Sequence, residues 1–417
     1  MDGRGTRQRS RVRIGLAAGV TALSLVTAAQ PVHADPPAER GTTASRGIDT
    51  TGLQESLDAL TAGGAVGAVA QVSNGRSRWR SVAGVRRIGG APARARDRVR
   101  IASITKTMVS TLVLQQVQRG RWTLDTRVGS VLPHLLPGHG DVTVRQLLSH
   151  RSGLPDVLAA LVTDTTTVPE LLEVIGRHYT DRRLVRAALT QPWAFPPGTD
   201  FLYSNTGYVV LGMMLRKSTG RSVASLLERR VFRPAGMRHS AFDRRPGIGG
   251  PHLTEYALYG RPYALTGFDP TMFSSAGAVV STVGDVDRFF DALLRGRLLS
   301  RRLVRTMATP VTQSPQVYGL GIYSVTDPCP APDGSTRTLL GHDGASFGTV
   351  SMSFSSRNAR RQVTVSYTGR QLVEGAPAAP VNDFLLAGLL ATCPTPAAAD
   401  AAPRLRTPQL DRLLLRR

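Results

Sequence analysis

The apolar periodicity of this chain changes twice, and that pattern limits its possible folds more than any other feature. Residues 65–73, AVGAVAQVS, are a short apolar run, which reads as a strand. Asn74-Gly75 follows, a dipeptide suited to the left-handed backbone of a two-residue hairpin turn. Residues 76–85 are then the return strand. From about residue 103 to about 233 the period becomes helical. Ile104, Met108 and Leu112 recur every four residues, beside Val109, Val113 and Val117, and Gly120 ends the run. Its wide apolar coverage predicts a central buried helix. Residues 206–216 and 282–294 are two more helices. Strand patterns return at 318–325, 349–354 and 362–368, the last two joined by a polar turn at 355–358. Residues 382–391 are a short apolar helix able to cover a sheet. Strands therefore come from both ends of the chain and helices from its middle. The expected fold is mixed α/β (α+β), a mostly antiparallel sheet flanked by helices with an inserted all-helical lobe. A cleft between the two parts is the natural place for a site.

The ends of the chain carry different signals. Arg4, Arg7, Arg9, Arg11 and Arg13 precede an apolar stretch at 14–29, and Val32-His33-Ala34 fits a small-residue cleavage point. Residues 1–34 are expected to be a signal peptide, cleaved near Ala34, that directs a secreted protein. The apolar stretch is shorter than the ~20 residues a membrane span needs, so no stable span is expected. Residues 35–50 read as a linker, 51–394 as the catalytic domain, and 395–417 as a disordered Ala/Pro/Arg-rich tail.

The formal net charge is +23. The positive residues lie along the whole chain with no basic helix and no aromatic-interleaved patch, so nucleic acid is not an expected partner. Attraction to anionic cell-wall polymers is a consequence of such a charge. Only two of the cationic residues are lysines, Lys106 and Lys217. A lysine in a chain that otherwise chooses Arg points to an amine able to lose its proton. Lys217, just before Gly220, reads as an ordinary cation at a helix C-terminus. The two cysteines, Cys329 and Cys393, suggest a disulfide in an exported chain, with two free buried thiols as the alternative.

Three short segments carry chemistry. In Ser103-Ile104-Thr105-Lys106 the serine and lysine share one helix face. A neutral amine there takes the hydroxyl proton and activates a weak nucleophile. The free amides of the helix start favour developing negative charge. The plain alternative is a capping serine and a solvated lysine. In Tyr203-Ser204-Asn205 an extended backbone would point the phenol and the amide the same way. A nearby cation would lower the tyrosine pKa and let it shuttle protons; the alternative is a core tyrosine and an N-cap asparagine. In His342-Asp343-Gly344 a hydrogen-bonding ring sits beside a glycine that admits close approach. The alternative is a histidine at a strand edge.

Together, SITK, YSN and HDG resemble the SxxK, YxN and K/HxG motifs of the class C β-lactamase and D-alanyl-D-alanine carboxypeptidase superfamily. Residues 147–154 (LLSHRSGL), 195–205 (FPPGTDFLYSN), 234–237 (PAGM) and 318–321 (YGLG) are similar to further family segments, in family order. The resemblance runs from about residue 51 to 394. The cysteine pair resembles the disulfide of exported actinobacterial carboxypeptidases. The resemblance implies a β-lactamase/transpeptidase-like fold and an acyl-enzyme on Ser103. Lys106 and Tyr203 would be the base, with Tyr203 protonating the leaving group. Asn205 would orient the substrate amide and the lysine, and His342 would support Tyr203 or the substrate. The amides of Ser103 and Ala345 would form the oxyanion hole, with Gly344 beside them. No metal or organic cofactor is implied. The substrate would be a small molecule or peptide: a D-Ala-D-Ala cell-wall peptide first, then an ester or other amide, then a β-lactam. A penicillin-binding sensor without turnover is the remaining alternative. Asp343 stands where the family often has Thr, and would repel a substrate carboxylate.

Overall fold

A computed structural model describes residues 47–312, 317–329, 331, 333–373 and 377–394. The expected signal peptide, most of the expected linker and the expected tail lie outside the described residues. Strands β1 (Gly67–Asn74) and β2 (Ser77–Gly84) form the first hairpin, with Gly75 at φ +64° as the turn requires. The later strands are β3 (Tyr323–Thr326), β4 (Thr338–Ala345), β5 (Thr349–Ser356) and β6 (Arg361–Thr368). They join the hairpin in one six-stranded antiparallel sheet of order β2-β1-β6-β5-β4-β3. The β1–β6 pairing, from Gly67↔Thr368 to Asn74↔Arg361, joins the early hairpin to the late strands.

Each face of the sheet has its own core. Helices α1 (Leu53–Ala62) and α6 (Val381–Leu390) pack Leu53, Leu57, Phe384 and Leu385 over Val72, Met352, Phe354 and Val363. The other face meets α2 (Ile104–Gln118), α5 (Val283–Leu294) and the helical lobe. The lobe contains α3 (Val157–Val162) and α4 (Asn205–Thr219). Helix α2 is central, as its pattern predicts. Even its polar Lys106, Thr107, Ser110 and Gln116 are buried. Lys217 is exposed on the last turn of α4, before the left-handed cap at Gly220.

The sequence misreads one place. Residues 318–325 are not one strand: β3 starts at Tyr323, and Tyr318 bridges back to it across a turn. Gly319 N–H donates to Ile322 O at 2.8 Å, and Gly321 takes φ +79°, a value glycine adopts readily. Strand β4, which carries His342 and Gly344, lies inside the sheet between β5 and β3 and is not an edge strand. Residues 256–264, beyond the expected helical stretch, pair as Tyr256–Tyr259 and Arg261–Ala264 in a small three-stranded sheet with Arg370–Gln371.

Cys329 and Cys393 form a disulfide, with Cα atoms 5.3 Å apart and a sequence separation of 64 residues. It ties the segment after β3 to the end of α6. Beside it, Arg361 Nη1 of β6 donates to Asp327 Oδ2 at 2.6 Å. Replacing both cysteines with serine is expected to remove about 4 kcal/mol through loop entropy in the unfolded chain. Denaturant titration measures this, and an unchanged midpoint would reject it.

Candidate active site

Ser103 occupies the N-cap position of α2, yet its side chain makes no capping bond. Its hydroxyl is taken instead by Lys106 Nζ, 2.9 Å away. Lys106 is not solvated: it is fully buried. Its Nζ also lies 2.7 Å from Asn205 Oδ1 and 2.9 Å from the carbonyl oxygen of Ala276. Those two oxygens only accept, so they take two hydrogens of the amine. In the neutral amine the lone pair is left for the Ser103 hydroxyl. Burial pulls the Lys106 pKa down from 10.5 to about 7, with Asp156 and Asp343 opposing.

Asn205 is the first residue of α4 and bridges two charges. Its Oδ1 faces the amine, and its Nδ2 donates to Asp156 Oδ2 at 2.9 Å. A hydrogen-bond donor on one side and a carboxylate on the other fix the amide's orientation. Asp156 in turn caps α3 by accepting from Leu158 N–H at 3.0 Å.

Tyr203 reaches the same place from the extended segment before α4. Its hydroxyl is buried and, among the described residues, has no hydrogen-bond partner. The Ser103 side chain lies near enough to oppose the shift in its pKa, but burial dominates and pushes the phenol well above its ordinary value. This corrects the sequence expectation of a lowered tyrosine. Lys106 Nζ lies 4.7 Å from the centre of the Tyr203 ring, and the amine makes no hydrogen bond to the phenol oxygen. His150 stacks on the same ring, with centroids 4.0 Å apart.

Strand β4 brings the third segment. Alternation sends His342 and Gly344 to the α2 face and Asp343 to the opposite one, where its partner in register, Met352, sits in the α1/α6 core. A Cβ on Gly344 would lie 2.3 Å from Ile101 O and 2.8 Å from Ser103 N, so only glycine lets β4 come this close to the start of α2. Ser346 N–H donates to Thr349 O across the hairpin. In an antiparallel ladder the hydrogen-bonded pairs alternate, so the Ala345 N–H points to the other edge. Strand β3 covers that edge only from Thr338 to Gly341. The Ala345 amide is therefore open beside Ser103, whose own amide lies outside the helix ladder.

One expectation for this segment is corrected. Asp343 does not face the substrate: it is buried and its Oδ1 accepts from Tyr323 Oη at 2.7 Å. Burial raises its carboxyl pKa. It therefore does not repel a substrate carboxylate, as the sequence alone would have it. His342 does not offer a hydrogen to Tyr203 or the cleft. It is fully buried, its Nε2 lies 3.0 Å from Tyr318 Oη, and its Nδ1 faces the Asp343 carbonyl. Burial and the nearby Lys106 lower its pKa from 6.5 to about 3, so the ring is neutral.

The structure thus gathers Ser103, Lys106, Tyr203, Asn205, His342, Gly344 and Ala345 in one place and leaves Asp343 behind the sheet. It adds Asp156, Ala276, His150 and Tyr318, to which the sequence reading gave no role. Asp156 had a signal, an aspartate directly before an apolar helical run. The Ala276 carbonyl had none. Among the described residues no cluster of His, Cys, Asp or Glu could hold a metal ion.

The class that this fold and site define is the β-lactamase/transpeptidase-like fold. The family model described as Beta-lactamase matches residues 53–383, and the chain belongs to that family. A D-stereospecific amidohydrolase from Streptomyces sp. superposes with a TM-score of 0.72 at 30% identity, over 82% of this chain and 98% of that one. Esterase EstB of Burkholderia gladioli is 33% identical over 210 residues, 47% of this chain and 53% of the esterase. Penicillin-binding protein 4 of Amycolatopsis lactamdurans is 31% identical over 195 residues, 45% of this chain and 48% of that protein. The chain spans about half the length of the curated relatives it matches. Among the described residues, no helix is long and apolar enough to cross a membrane.

Proposed function

We propose that this chain hydrolyses the amide bond that follows a D-configured residue, through an acyl-enzyme on Ser103. The observation that carries the reading is Lys106, a buried amine whose two other partners only accept, which leaves its lone pair for the Ser103 hydroxyl. Neutral Lys106 takes the Ser103 proton as Oγ bonds the substrate carbonyl carbon. The amides of Ser103 and Ala345 hold the oxyanion. Tyr203, a neutral phenol at rest, gives its proton to the leaving amine and regains one from the Lys106 ammonium. Water then attacks the acyl carbon, loses its proton to the amine, and the Ser103 oxygen leaves with a proton. The preference for a D-residue rests on the likeness to the D-stereospecific amidohydrolase. D-Ala-D-Ala cell-wall peptides, the first expectation from the sequence, belong to this class. Esters are the second reading, supported by the likeness to the esterase. Export is part of the proposal, and the disulfide fits an oxidising compartment.

Intact-protein mass spectrometry tests it, using benzylpenicillin, a D-amino-acid amide and the matching ester, beside a Ser103→Ala control. An adduct or product that requires Ser103, with the D-amide turned over and the L-amide spared, is the expected result. Turnover of the ester alone would replace the amidase reading with the esterase one. No Ser103-dependent adduct or product from any of the three would reject the acyl-enzyme.

A further inference from the structure

We infer that His150, Tyr318 and His342 form a one-way hydrogen-bond relay that positions the Tyr203–Asn205 segment against the cleft edge of β4. The relay crosses three parts of the chain that the mechanism above does not use directly. Ser204 N–H donates to His150 Nδ1 at 3.1 Å. A backbone amide only donates, so Nδ1 carries the lone pair. Burial and the neighbouring Lys106 and His342 hold the His150 pKa well below its ordinary value, which leaves one ring hydrogen, on Nε2. That nitrogen lies 3.2 Å from Tyr318 Oη and donates to it. At the far end, His342 Nδ1 faces the Asp343 carbonyl oxygen, which only accepts. The neutral His342 ring therefore carries its hydrogen on Nδ1, and Nε2 accepts from Tyr318 Oη–H at 3.0 Å. Tyr318 has one hydrogen, and it is buried between the two rings. Tyr208 Oη is also within its reach, but among the described residues His342 Nε2 has no other donor, so Tyr318 accepts from His150 and donates to His342. Backbone groups at both ends fix the direction of all four bonds.

The two ends are the parts that must stay in register for catalysis. Ser204 sits between Tyr203 and Asn205, and Asn205 holds the Lys106 amine. Asp343 lies two residues before the Ala345 amide. His150 stacks on the Tyr203 ring and adopts φ +58°, in the left-handed region. A non-glycine residue keeps that backbone only where its surroundings require it. The three are positioning residues, since none of them is placed to touch the reacting atoms.

The inference about rate rests on the proposed acyl-enzyme, but the relay itself does not. In the full chain labelled with ¹⁵N-histidine, NMR is expected to show Nε2–H on His150 and Nδ1–H on His342. The opposite tautomer on either ring would overturn the relay, whatever the activity. Tyr318→Phe removes both central bonds and keeps the ring. It is expected to slow single-turnover acylation by D-amino-acid esters about 10- to 100-fold, with substrate Kd within about twofold. Acylation at the wild-type rate in a folded Tyr318→Phe protein would show that the relay does not position the site. If the wild type forms no acyl-enzyme, the functional reading fails while the tautomers still decide the relay. If the variant does not fold, the wild-type spectrum decides it alone.

Discussion

A Lys106→Met variant is expected to keep the fold and to lose acylation by about 10²–10⁴-fold, the usual contribution of a general base. Methionine is close to lysine in length and carries no amine. Lys106→Arg, the natural choice from the sequence because it keeps the charge and cannot give up its proton, suits this structure less well. The pocket is closed by Ser103, Asn205 and Ala276, and a larger guanidinium would overpack it. Stopped-flow acylation of wild type and variant, with circular dichroism to confirm the fold, makes the measurement. A variant within tenfold of wild type would remove Lys106 from the role of base.

The same residue sets the pH dependence. Lys106 is lowered to about 7, and the base works only when deprotonated. Acylation is therefore expected to rise with pH and reach half its plateau near pH 7. Stability moves the same way over a definite window. Between about pH 7 and 10.5 the unfolded chain holds a lysine proton that the folded chain has released. The unfolded state binds more protons there, so this group makes the fold more stable as pH rises through the window. A rate profile flat from about pH 6 to 8 would contradict the lowered amine.

The parts of the site that were legible in the sequence follow from local geometry. Ser103 and Lys106 meet because residues three apart share a helix face. The hairpin at Asn74-Gly75 forms because the turn chemistry is local. The centrality of α2 follows from apolar coverage on all sides. What the sequence misplaced depends on distant parts of the chain. Asp343 faces away from the cleft because the register of β4 on β5 sends it there, and a one-residue difference would reverse the faces. The direction of the Tyr203 shift depends on how completely the lobe and sheet close over it. The partners of His342 come from residue 318 and from its own strand's main chain. The Ala276 carbonyl is a backbone group, and no side-chain pattern can announce one. Helix α1 was missed because ten residues with three buried leucines give too short a pattern to stand out.

Gly344→Ala is expected to impair the enzyme in a different way, through the backbone. A single methyl group there would lie 2.3 Å from the Ile101 carbonyl oxygen and 2.8 Å from the Ser103 nitrogen. Both are main-chain atoms at the start of α2, so no flexible side chain can move aside. Strand β4 must shift away from the helix, or the helix start must move. Overpacking of this kind costs about 1–3 kcal/mol of stability. Its larger effect falls on the oxyanion site, because the displaced strand carries Ala345 and the crowded atom is the Ser103 amide. Losing one such donor slows the chemical step by about 10²–10³-fold. The oxyanion exists only in the transition state and intermediate, so kcat should fall while ground-state binding changes little. Lys106 should still titrate near 7, since burial is the main cause of its shift and its Asn205 and Ala276 partners lie off the displaced strand. Kinetics on a D-amino-acid ester across pH would then give a lower plateau with the same midpoint. A wild-type plateau in Gly344→Ala would mean that the amides of Ser103 and Ala345 do not hold the oxyanion. A shifted midpoint would mean that the strand supports the amine as well.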